Sequence, residues 1–196
     1  MIIVKLGGSL YNSPELTLWL QTLADISQST SIVIVPGGGP FADQVRIAQQ
    51  HHHFDDNTAH HMALTAMKQF GLMLCGLEEK CQPFNYQQSI SPLSVWLPDD
   101  MLLSETELPH SWDITSDSIA LWLAAKLKAD HLFLVKHVMV NTISTQQLAV
   151  EEVIDQGFVD LFAKYTIPTQ IIHYQAYSDF AKAFMNQNIK TNMYLS

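Results

Sequence analysis

Two glycine-rich turns, each following an apolar run, contain the residues of this chain best suited to chemistry. The first is Val4-Lys5-Leu6-Gly7-Gly8-Ser9, and the second is Ile32-Val33-Ile34-Val35-Pro36-Gly37-Gly38-Gly39-Pro40. Glycines let several backbone N–H groups point at one anion, and the start of a following helix adds partial positive charge. A lysine beside such a turn supplies a point charge that can follow a phosphoryl group during transfer. The pair of turns therefore predicts a phosphate-binding site.

A third polar group lies farther along the chain, in Trp112–Ala120. Thr115 or Ser116 can cap a helix there, and Asp117 in the first turn suits the helix dipole, which is a purely structural explanation of these residues. The functional alternative is that Asp117 faces a glycine turn and holds Lys5 in position. The polar groups would then converge at the carboxyl ends of the strands, where open α/β sheets bind ligands.

Hydrophobic periodicity indicates which elements position these residues. Strands with continuous apolar runs alternate with helical patterns, which predicts an α/β fold: a three-layer αβα sandwich with a mainly parallel central sheet. We expect one domain over residues 1–196. The predicted strands end in the first two turns or cover Leu93–Leu97, His131–Val135 and Gln170–His173. The predicted helices cover Leu16–Ile26, a segment from Pro40, Thr58–Leu77, an amphipathic Asp117–Leu127, Val150–Asp155 and Asp179–Met185.

Composition and charge exclude several classes of function. The formal net charge of −9 argues against nucleic acid as a partner, because phosphate backbones require a basic face. No apolar run reaches the ~18–20 residues that a membrane span needs, so no membrane partner is expected. The sequence shows no secretory signal, and Cys75 and Cys81 show no disulfide pattern. Reduced thiols and a cytoplasmic location are therefore expected.

Two other ligand patterns in the sequence are weak. Gly37 to Ala42 fits the dinucleotide pattern G-x-G-x-x-A, but no second strand ends in an acidic residue about twenty positions later. The histidine runs 51–53 and 60–61 place neighbouring residues on different sides of a helix, without the i, i+4 spacing of a metal pair. A solvated polar face is the better interpretation of these histidines, and we predict no protein metal site.

The three motifs together resemble those of the amino acid kinase superfamily. The matching segments are residues 4–9, Val35–Asp43 and Thr115–Ala120, in the order and spacing typical of that superfamily. Its members include acetylglutamate, aspartate, uridylate and isopentenyl phosphate kinases. Ala59–Met67 and Trp112-Asp113 further resemble the small kinases of methanofuran-type cofactor biosynthesis. Those kinases convert [5-(aminomethyl)furan-3-yl]methyl phosphate to its diphosphate.

The resemblance implies a role for each site residue. Lys5 would bridge the transferred phosphoryl group, and Asp117 would orient Lys5 rather than act as a base. ATP, with Mg²⁺, would be the phosphoryl donor, and a small phosphorylated molecule would be the acceptor. The family's dimers make a homodimer the expected assembly. The residues expected to bind the nucleotide are Gly7, Gly8, Ser9 and Lys136. Those expected to bind the acceptor are Gly37, Gly38, Gly39, Arg46 and Asp113. Of these, Arg46 would bind the acceptor phosphate and Asp113 would pair with an ammonium group.

Part of the superfamily pattern is missing on the nucleotide side. The usual turn after the fourth predicted strand contains an acidic residue and a glycine, whereas this chain has residues 136–142, KHVMVNT. Many relatives also have a second catalytic lysine late in the chain, for which the candidates here are Lys164, Lys182 and Lys190. A kinase is the favoured hypothesis. The alternative is a non-catalytic nucleotide- or oxyanion-binding scaffold on the same fold, and a second lysine close to Lys5 would favour the kinase.

Overall fold

The computed structural model describes residues 1–85, 88–185 and 194–196. Its centre is a six-stranded sheet in the order β3-β4-β2-β1-β5-β6, and every pair of neighbouring strands is parallel. The predicted parallel sheet is therefore confirmed. The strands are β1 (Ile2–Leu6), β2 (Ile32–Pro36), β3 (Gln82–Phe84), β4 (Leu93–Trp96), β5 (His131–Lys136) and β6 (Thr169–His173).

Helices cover the sheet and form the two outer layers. One core cluster contains apolar residues of α1, α7 and the second half of α3, and the other contains those of α4, α5, α6 and the first half of α3. None of the helices in the described residues is long and apolar enough to cross a membrane. The helices are α1 (Glu15–Ile26), α2 (Gly39–His52), α3 (Asp56–Leu77), α4 (Ser116–Lys126), α5 (Thr145–Val150), α6 (Gly157–Lys164) and α7 (Tyr177–Met185).

Strand alternation decides which side chains reach the site. In β1, Ile2, Val4 and Leu6 belong to the α1 side of the sheet, whereas Ile3 belongs to the α4 side. Because successive side chains point to opposite faces, Lys5 shares the α4 side with Ile3. In the neighbouring strand β5, Leu132 and Leu134 face the same side, and Lys136 continues that series.

Three elements differ from the sequence prediction. The helix predicted as amphipathic, α4, is buried on every side from residue 117 to 124, because it packs against strands β1, β2 and β5 and against α6. The helix predicted at Val150–Asp155 ends earlier, at Val150, and a separate helix, α6, follows it. Strand β3 was not predicted; it is an edge strand in which Gln82 and Pro83 are exposed, so its pattern is too short and polar to detect.

Candidate active site

Lys5, Asp117 and Lys136 form one buried cluster of charges at the carboxyl ends of β1 and β5. The Nζ atom of Lys5 lies 2.8 Å from Oδ1 of Asp117, and the Nζ atom of Lys136 lies 2.5 Å from Oδ2. The three side chains are only 6%, 5% and 14% exposed, in that order. Two ammonium groups thus share the Asp117 carboxylate, and each has further N–H donors that suit an anionic ligand.

The electrostatics make Asp117 an ion-pair partner rather than a proton acceptor. Burial by itself would raise the pKa of the Asp117 carboxyl, but Lys136 and Lys5 outweigh it and lower the pKa to about 2. Burial lowers the pKa of Lys136 to about 8, although Asp117 opposes this effect. At neutral pH the carboxylate is therefore ionised and too weakly basic for general-base catalysis.

Asp155 holds the start of α4, and with it Asp117, in place. Its carboxylate accepts hydrogen bonds from the N–H of Thr115 at 2.9 Å, from the Thr115 hydroxyl at 2.7 Å and from the N–H of Ser118 at 3.1 Å. The Ser118 hydroxyl and the N–H of Phe158, at 3.0 Å, also donate to it. Burial and the neighbouring Asp117 raise the pKa of Asp155. The cap that the sequence predicted from Thr115 or Ser116 therefore comes from a carboxylate some forty residues away.

The two glycine turns pack backbone against backbone beside this cluster. A Cβ atom on Gly8 would lie 2.2 Å from the nitrogen of Gly39, and a Cβ atom on Gly37 would lie 2.4 Å from the nitrogen of Gly8. Gly39 also has a φ of +55°, which favours glycine. A Cβ atom on Gly7 would lie 3.7 Å from Nζ of Lys5. Side chains are thus excluded where the two turns meet, and the backbone of Gly7 lies next to Lys5.

One cavity, here called the helical cavity, lies between α2, α3 and the segment 111–119. It has a volume of about 420 Å³ and contains part of both glycine turns in its wall: Gly8, Ser9, Gly38 and Gly39. Its other walls combine apolar or aromatic side chains, such as Tyr11, Met67 and Trp112, with polar ones, such as Asn12 and Asp56.

A second cavity, here called the polar cavity, opens on the charged cluster. It has a volume of about 490 Å³ and is lined by Asp117, Lys136, Asp113 and residues 152–156. The two cavities share Arg46, Trp112 and Thr115 in their walls. The buried Lys5 lines neither of them.

Several predicted site residues lie where the sequence did not place them. Asp113 lines the polar cavity and is absent from the wall that contains Gly38 and Gly39, so its contact with an ammonium group stays a prediction. Gly8 and Ser9 line the helical cavity instead of the polar one. Arg46 lies two turns of α2 beyond Gly39, about 10 Å along the helix axis.

Arg46 is held against the wall that both cavities share. Its guanidinium carbon lies 4.2 Å from the centre of the Trp112 ring, and its Nη1 atom lies 3.3 Å from Oδ1 of Asp43. The Trp112 indole donates a hydrogen bond to Gln49 at 2.7 Å. The predicted grip of Arg46 on an acceptor phosphate stays a prediction.

The second lysine is Lys136, and two of the late-chain candidates do not reach the site. Lys164 pairs with Glu107, and Lys182 pairs with Asp179 at 3.1 Å, both as exposed lysines. Lys190 lies outside the described residues, as do Thr191 and Asn192. Asp155 was missed altogether, because nothing in the local sequence shows that its carboxylate contacts α4.

The histidines were assigned together to a solvated face, and this was wrong for one of them. His51, His52, His53 and His61 are exposed, but His60 is only 5% exposed and lines the helical cavity. It occupies the inward-facing stripe of α3 with Leu64 and Met67, at the spacing of one helical face. Among the described residues, no three His, Cys, Asp or Glu side chains form a group that could hold a metal ion.

Comparison with known proteins explains this arrangement. Residues 1–89 match the model of the amino acid kinase family. Over 190 residues, covering 88% of each chain, the protein is 26% identical to the [5-(aminomethyl)furan-3-yl]methyl phosphate kinase of Methanocaldococcus jannaschii. The resemblance to the amino acid kinase family is thus confirmed.

Solved structures of the family have the same fold. The uridylate kinase of Archaeoglobus fulgidus is 19% identical and superimposes with a TM-score of 0.71, covering 94% of this chain and 95% of that one. The UMP kinase of Bacillus anthracis is 12% identical, with a TM-score of 0.69, and covers 100% and 98% of the two chains. The predicted class of enzyme, a phosphotransferase, thus agrees with the family and with these relatives.

Proposed function

We propose that this protein is a kinase of the amino acid kinase type, which transfers a phosphoryl group from ATP to a small phosphorylated metabolite. The acceptor we propose is [5-(aminomethyl)furan-3-yl]methyl phosphate, which would become its diphosphate. The observation that carries the proposal is the cluster of Lys5, Asp117 and Lys136, which adjoins two glycine turns and a pair of connected cavities. The named relative from Methanocaldococcus jannaschii supports the choice of acceptor.

The chemistry requires alignment and charge neutralisation more than proton transfer. An oxygen of the acceptor phosphate would attack the γ-phosphorus of ATP, forming a P–O bond while the bond to the ADP oxygen breaks. A phosphate oxygen is already ionised and nucleophilic near neutral pH, so no base is needed. Lys5 and Lys136 would neutralise charge on the transferred group, and Asp117 would keep both lysines in position.

The charged cluster and the first glycine turn fit the triphosphate of ATP. Lys136 lines the polar cavity, and Gly7 lies beside Lys5, where a Cβ atom would be 3.7 Å from its Nζ atom. Gly8 and Ser9 continue the same turn on the side of the helical cavity, where the Ser9 hydroxyl would add a donor. We expect Mg²⁺ to enter with ATP, bound to its phosphates, and to add charge neutralisation there. The described residues offer no metal-binding group of their own, so no protein ligand is assigned to the ion.

The helical cavity fits the acceptor. Its inner wall contains Gly38 and Gly39 at the N-terminus of the fourteen-residue helix α2, where backbone N–H groups and the helix dipole favour a phosphate. Gly37, in the same turn, keeps the backbone close to Gly8. Arg46 would approach the acceptor from the shared wall. The apolar and aromatic side chains between these groups would pack on the furan ring.

The position of Lys136 favours a kinase over a scaffold. A binding protein needs positive charge near its anion, but it does not need two lysines locked on one buried carboxylate at the junction of two ligand cavities. The turn after β5 lacks the usual acidic residue and glycine, yet its first residue supplies the second lysine. We also propose a homodimer in the cytoplasm, in line with the family resemblance.

The proposal is tested by titrating ATP and Mg²⁺ into the protein, with and without the aminomethylfuran phosphate, and recording phosphorus NMR spectra of the mixture. We expect a new pair of coupled diphosphate resonances and an equal amount of ADP. Binding of ATP without any diphosphate would support the scaffold instead. No binding of ATP would contradict the assignment of the polar cavity to the nucleotide.

A further inference from the structure

Arg46 is the only arginine in the sequence, and it lies in the wall that the two cavities share. Of the residues that the structure describes, it is also the only charged one that lines both cavities. The other charged residues in the described wall of the helical cavity are two carboxylates, Asp43 and Asp56. Arg46 is therefore the side-chain cation available to a phosphate bound in that cavity.

The guanidinium of Arg46 points back along α2 towards the second glycine turn. Side chains of a helix lean towards its N-terminus, and the 3.3 Å contact of Nη1 with Asp43 agrees with this direction. Asp43 lies one turn from Gly39, about 6 Å along the axis. The pair of Arg46 with Asp43 is exposed and uses one of three guanidinium nitrogens, and such pairs are weak. A phosphate can therefore replace Asp43 as the partner of Arg46.

Trp112 holds the guanidinium in the shared wall. The guanidinium carbon of Arg46 lies 4.2 Å from the centre of the Trp112 ring, which is a cation–π distance. The indole donates a hydrogen bond to Gln49 at 2.7 Å, and the side-chain amide of Gln49 donates to Asp56 at 2.8 Å. Two hydrogen bonds in series thus fix the ring against which Arg46 packs, although Arg46 itself is 45% exposed.

The proposed transfer brings two phosphate groups together, and their negative charges repel each other. Lys5 and Lys136 are held on Asp117, and neither lysine is part of the described wall of the helical cavity. A guanidinium presents its N–H donors as a planar fork, which can bind oxygens of two phosphates at once. Placed between the two groups, it would reduce their repulsion as the acceptor oxygen approaches the γ-phosphorus.

We propose that Arg46 is a third catalytic cation, which binds the acceptor phosphate and the transferred phosphoryl group at the same time, and that Trp112 positions it. This inference rests on the proposed function, because it needs one phosphate-bearing substrate in each cavity. It extends the predicted grip of Arg46 on the acceptor to the nucleotide as well. Arg46 stays protonated throughout and only donates hydrogen bonds, while the new P–O bond forms and the bond to the ADP oxygen breaks.

The first test measures how strongly the two substrates affect each other's binding. Calorimetry would give the Kd of the aminomethylfuran phosphate with and without the nonhydrolysable β,γ-imido analogue of ATP. In the wild type we expect the two Kd values to agree within about threefold, because Arg46 offsets the repulsion. In Arg46→Met the acceptor should bind at least about 10-fold more weakly when the analogue is present than when it is absent.

Steady-state kinetics of the same variants test the catalytic part of the proposal. Arg46→Met should lower kcat about 10²-fold, the usual effect of removing one preorganised donor. Arg46→Lys should recover part of this loss, because it keeps the charge but lacks the planar fork. The matched control is Lys68→Met, which removes an exposed cation of α3 that lines neither cavity and should leave every constant at the wild-type value.

A double-mutant cycle tests whether Trp112 acts through Arg46. Trp112→Leu removes the ring face and should lower kcat about tenfold, whereas Trp112→Phe keeps a ring face and should retain most of the activity. In the Arg46→Met background, Trp112→Leu should lower kcat no further, because no guanidinium is left to position. Circular dichroism of each variant would confirm that it is folded.

Several outcomes would overturn the inference. Equal weakening of acceptor binding with and without the analogue in Arg46→Met would show that Arg46 contacts the acceptor alone, and an unchanged kcat would exclude it from the transfer. Independent losses of kcat in Trp112→Leu and Arg46→Met would show that Trp112 does not position Arg46. If the wild type forms no diphosphate, the proposed kinase activity fails, and calorimetry still decides this inference. An effect of the analogue that depends on Arg46 would sustain it; an effect unchanged in Arg46→Met, or no binding of the acceptor, would refute it.

Discussion

The two cavities that meet at Arg46 and Trp112 are built in different ways. The helical cavity has two of its walls on α2 and α3, which are consecutive in sequence and pack against each other, and residues 8–12 and 111–119 complete it. The polar cavity is formed by the end of β5, the start of α4 and residues 152–156, which only the tertiary fold brings together. The first is defined by shape and apolar contact, and the second by the charges around Asp117.

This difference separates the tasks of binding and of chemistry. Apolar walls with a few polar groups distinguish one small molecule from another but do little to a phosphoryl group. Buried charges with a shared partner act strongly on a developing charge but distinguish poorly between anions. Variants of the two cavities should therefore differ in which kinetic constant changes. Substitutions in the helical cavity should change the KM and the choice of acceptor, whereas substitutions around the polar cavity should lower kcat.

The largest effect is expected from Lys5→Ala, because the Lys5 ammonium group is buried against Asp117 and lies beside Gly7 of the first glycine turn. Removing its ammonium group from beside Asp117 should lower kcat about 10²–10³-fold, the usual cost of one preorganised charge at a transition state. Steady-state rates for ATP and the aminomethylfuran phosphate would measure it. Lys182→Ala, which removes an exposed lysine of α7, serves as the matched control and should retain full activity. A loss of less than threefold in Lys5→Ala would show that Lys5 has no part in phosphoryl transfer.

The same contrast explains which features were predictable from sequence. The glycine turns, β1, β2 and the long helix α3 follow from local patterns, because glycine and apolar periodicity act over a few residues. The ion pair of Lys5 with Asp117 required family resemblance as well, since more than a hundred residues separate them. The walls of the helical cavity on α2 and α3 belong to helices that such patterns predict, whereas residues 111–119 reach the cavity only through the fold.

The polar cavity depends on contacts that no local pattern contains. The placement of Lys136 beside Asp117 follows from strand parity and from the pairing of β5 with β1, and a single sequence does not disclose which strands are neighbours. The role of Asp155 depends on the packing of residues 152–156 against the start of α4. The burial of His60 depends on the residues that pack over α3 in the fold. These long-range contacts account for Lys164 and Lys182 being the wrong candidates and for the burial of His60, which the sequence did not predict.

An intermediate effect is expected from Asp155→Asn, which tests whether the position of Asp117 depends on the hydrogen bonds that Asp155 accepts from the start of α4. An amide cannot accept all the hydrogen bonds that the carboxylate accepts, so donors at the start of α4 would lose their partner. We expect a loss of about 1–3 kcal/mol in the free energy of unfolding. A shift of Asp117 should also lower kcat about tenfold, with the KM for the acceptor unchanged.

Asp55→Ala separates the two contributions, because it removes the side-chain cap of α3 without contacting α4. Denaturant unfolding and steady-state kinetics of both variants would be compared under the same conditions. Asp55→Ala should lose about 1 kcal/mol of stability but keep the wild-type kcat. If Asp155→Asn loses stability and keeps its kcat as well, Asp155 is only a cap and does not position Asp117.

The smallest effect is expected from Lys136→Arg, and it should appear only at alkaline pH. Burial places the pKa of Lys136 near 8, with Asp117 acting to raise it and Lys5 and burial to lower it. As pH rises through about 8 in the free enzyme, Lys136 loses its proton and the site loses one of its two positive charges. The kcat/KM for ATP, which reports the free enzyme, should therefore fall above pH 8. Arginine stays charged throughout this range, so Lys136→Arg should remove the fall, although its larger planar group should cost a few-fold at pH 7.

The pH profile distinguishes the charge of Lys136 from its shape. Lys182→Arg provides the control, because Lys182 pairs with Asp179 on an exposed face of α7, and its profile should match that of the wild type. If Lys136→Arg shows the same fall with the same midpoint, another group titrates and the charge of Lys136 is not needed for nucleotide binding. If the fall is abolished only in Lys136→Arg, the charge of Lys136 is what the polar cavity contributes to nucleotide binding. The KM for the acceptor, which binds in the helical cavity, should not change with pH between pH 7 and 9.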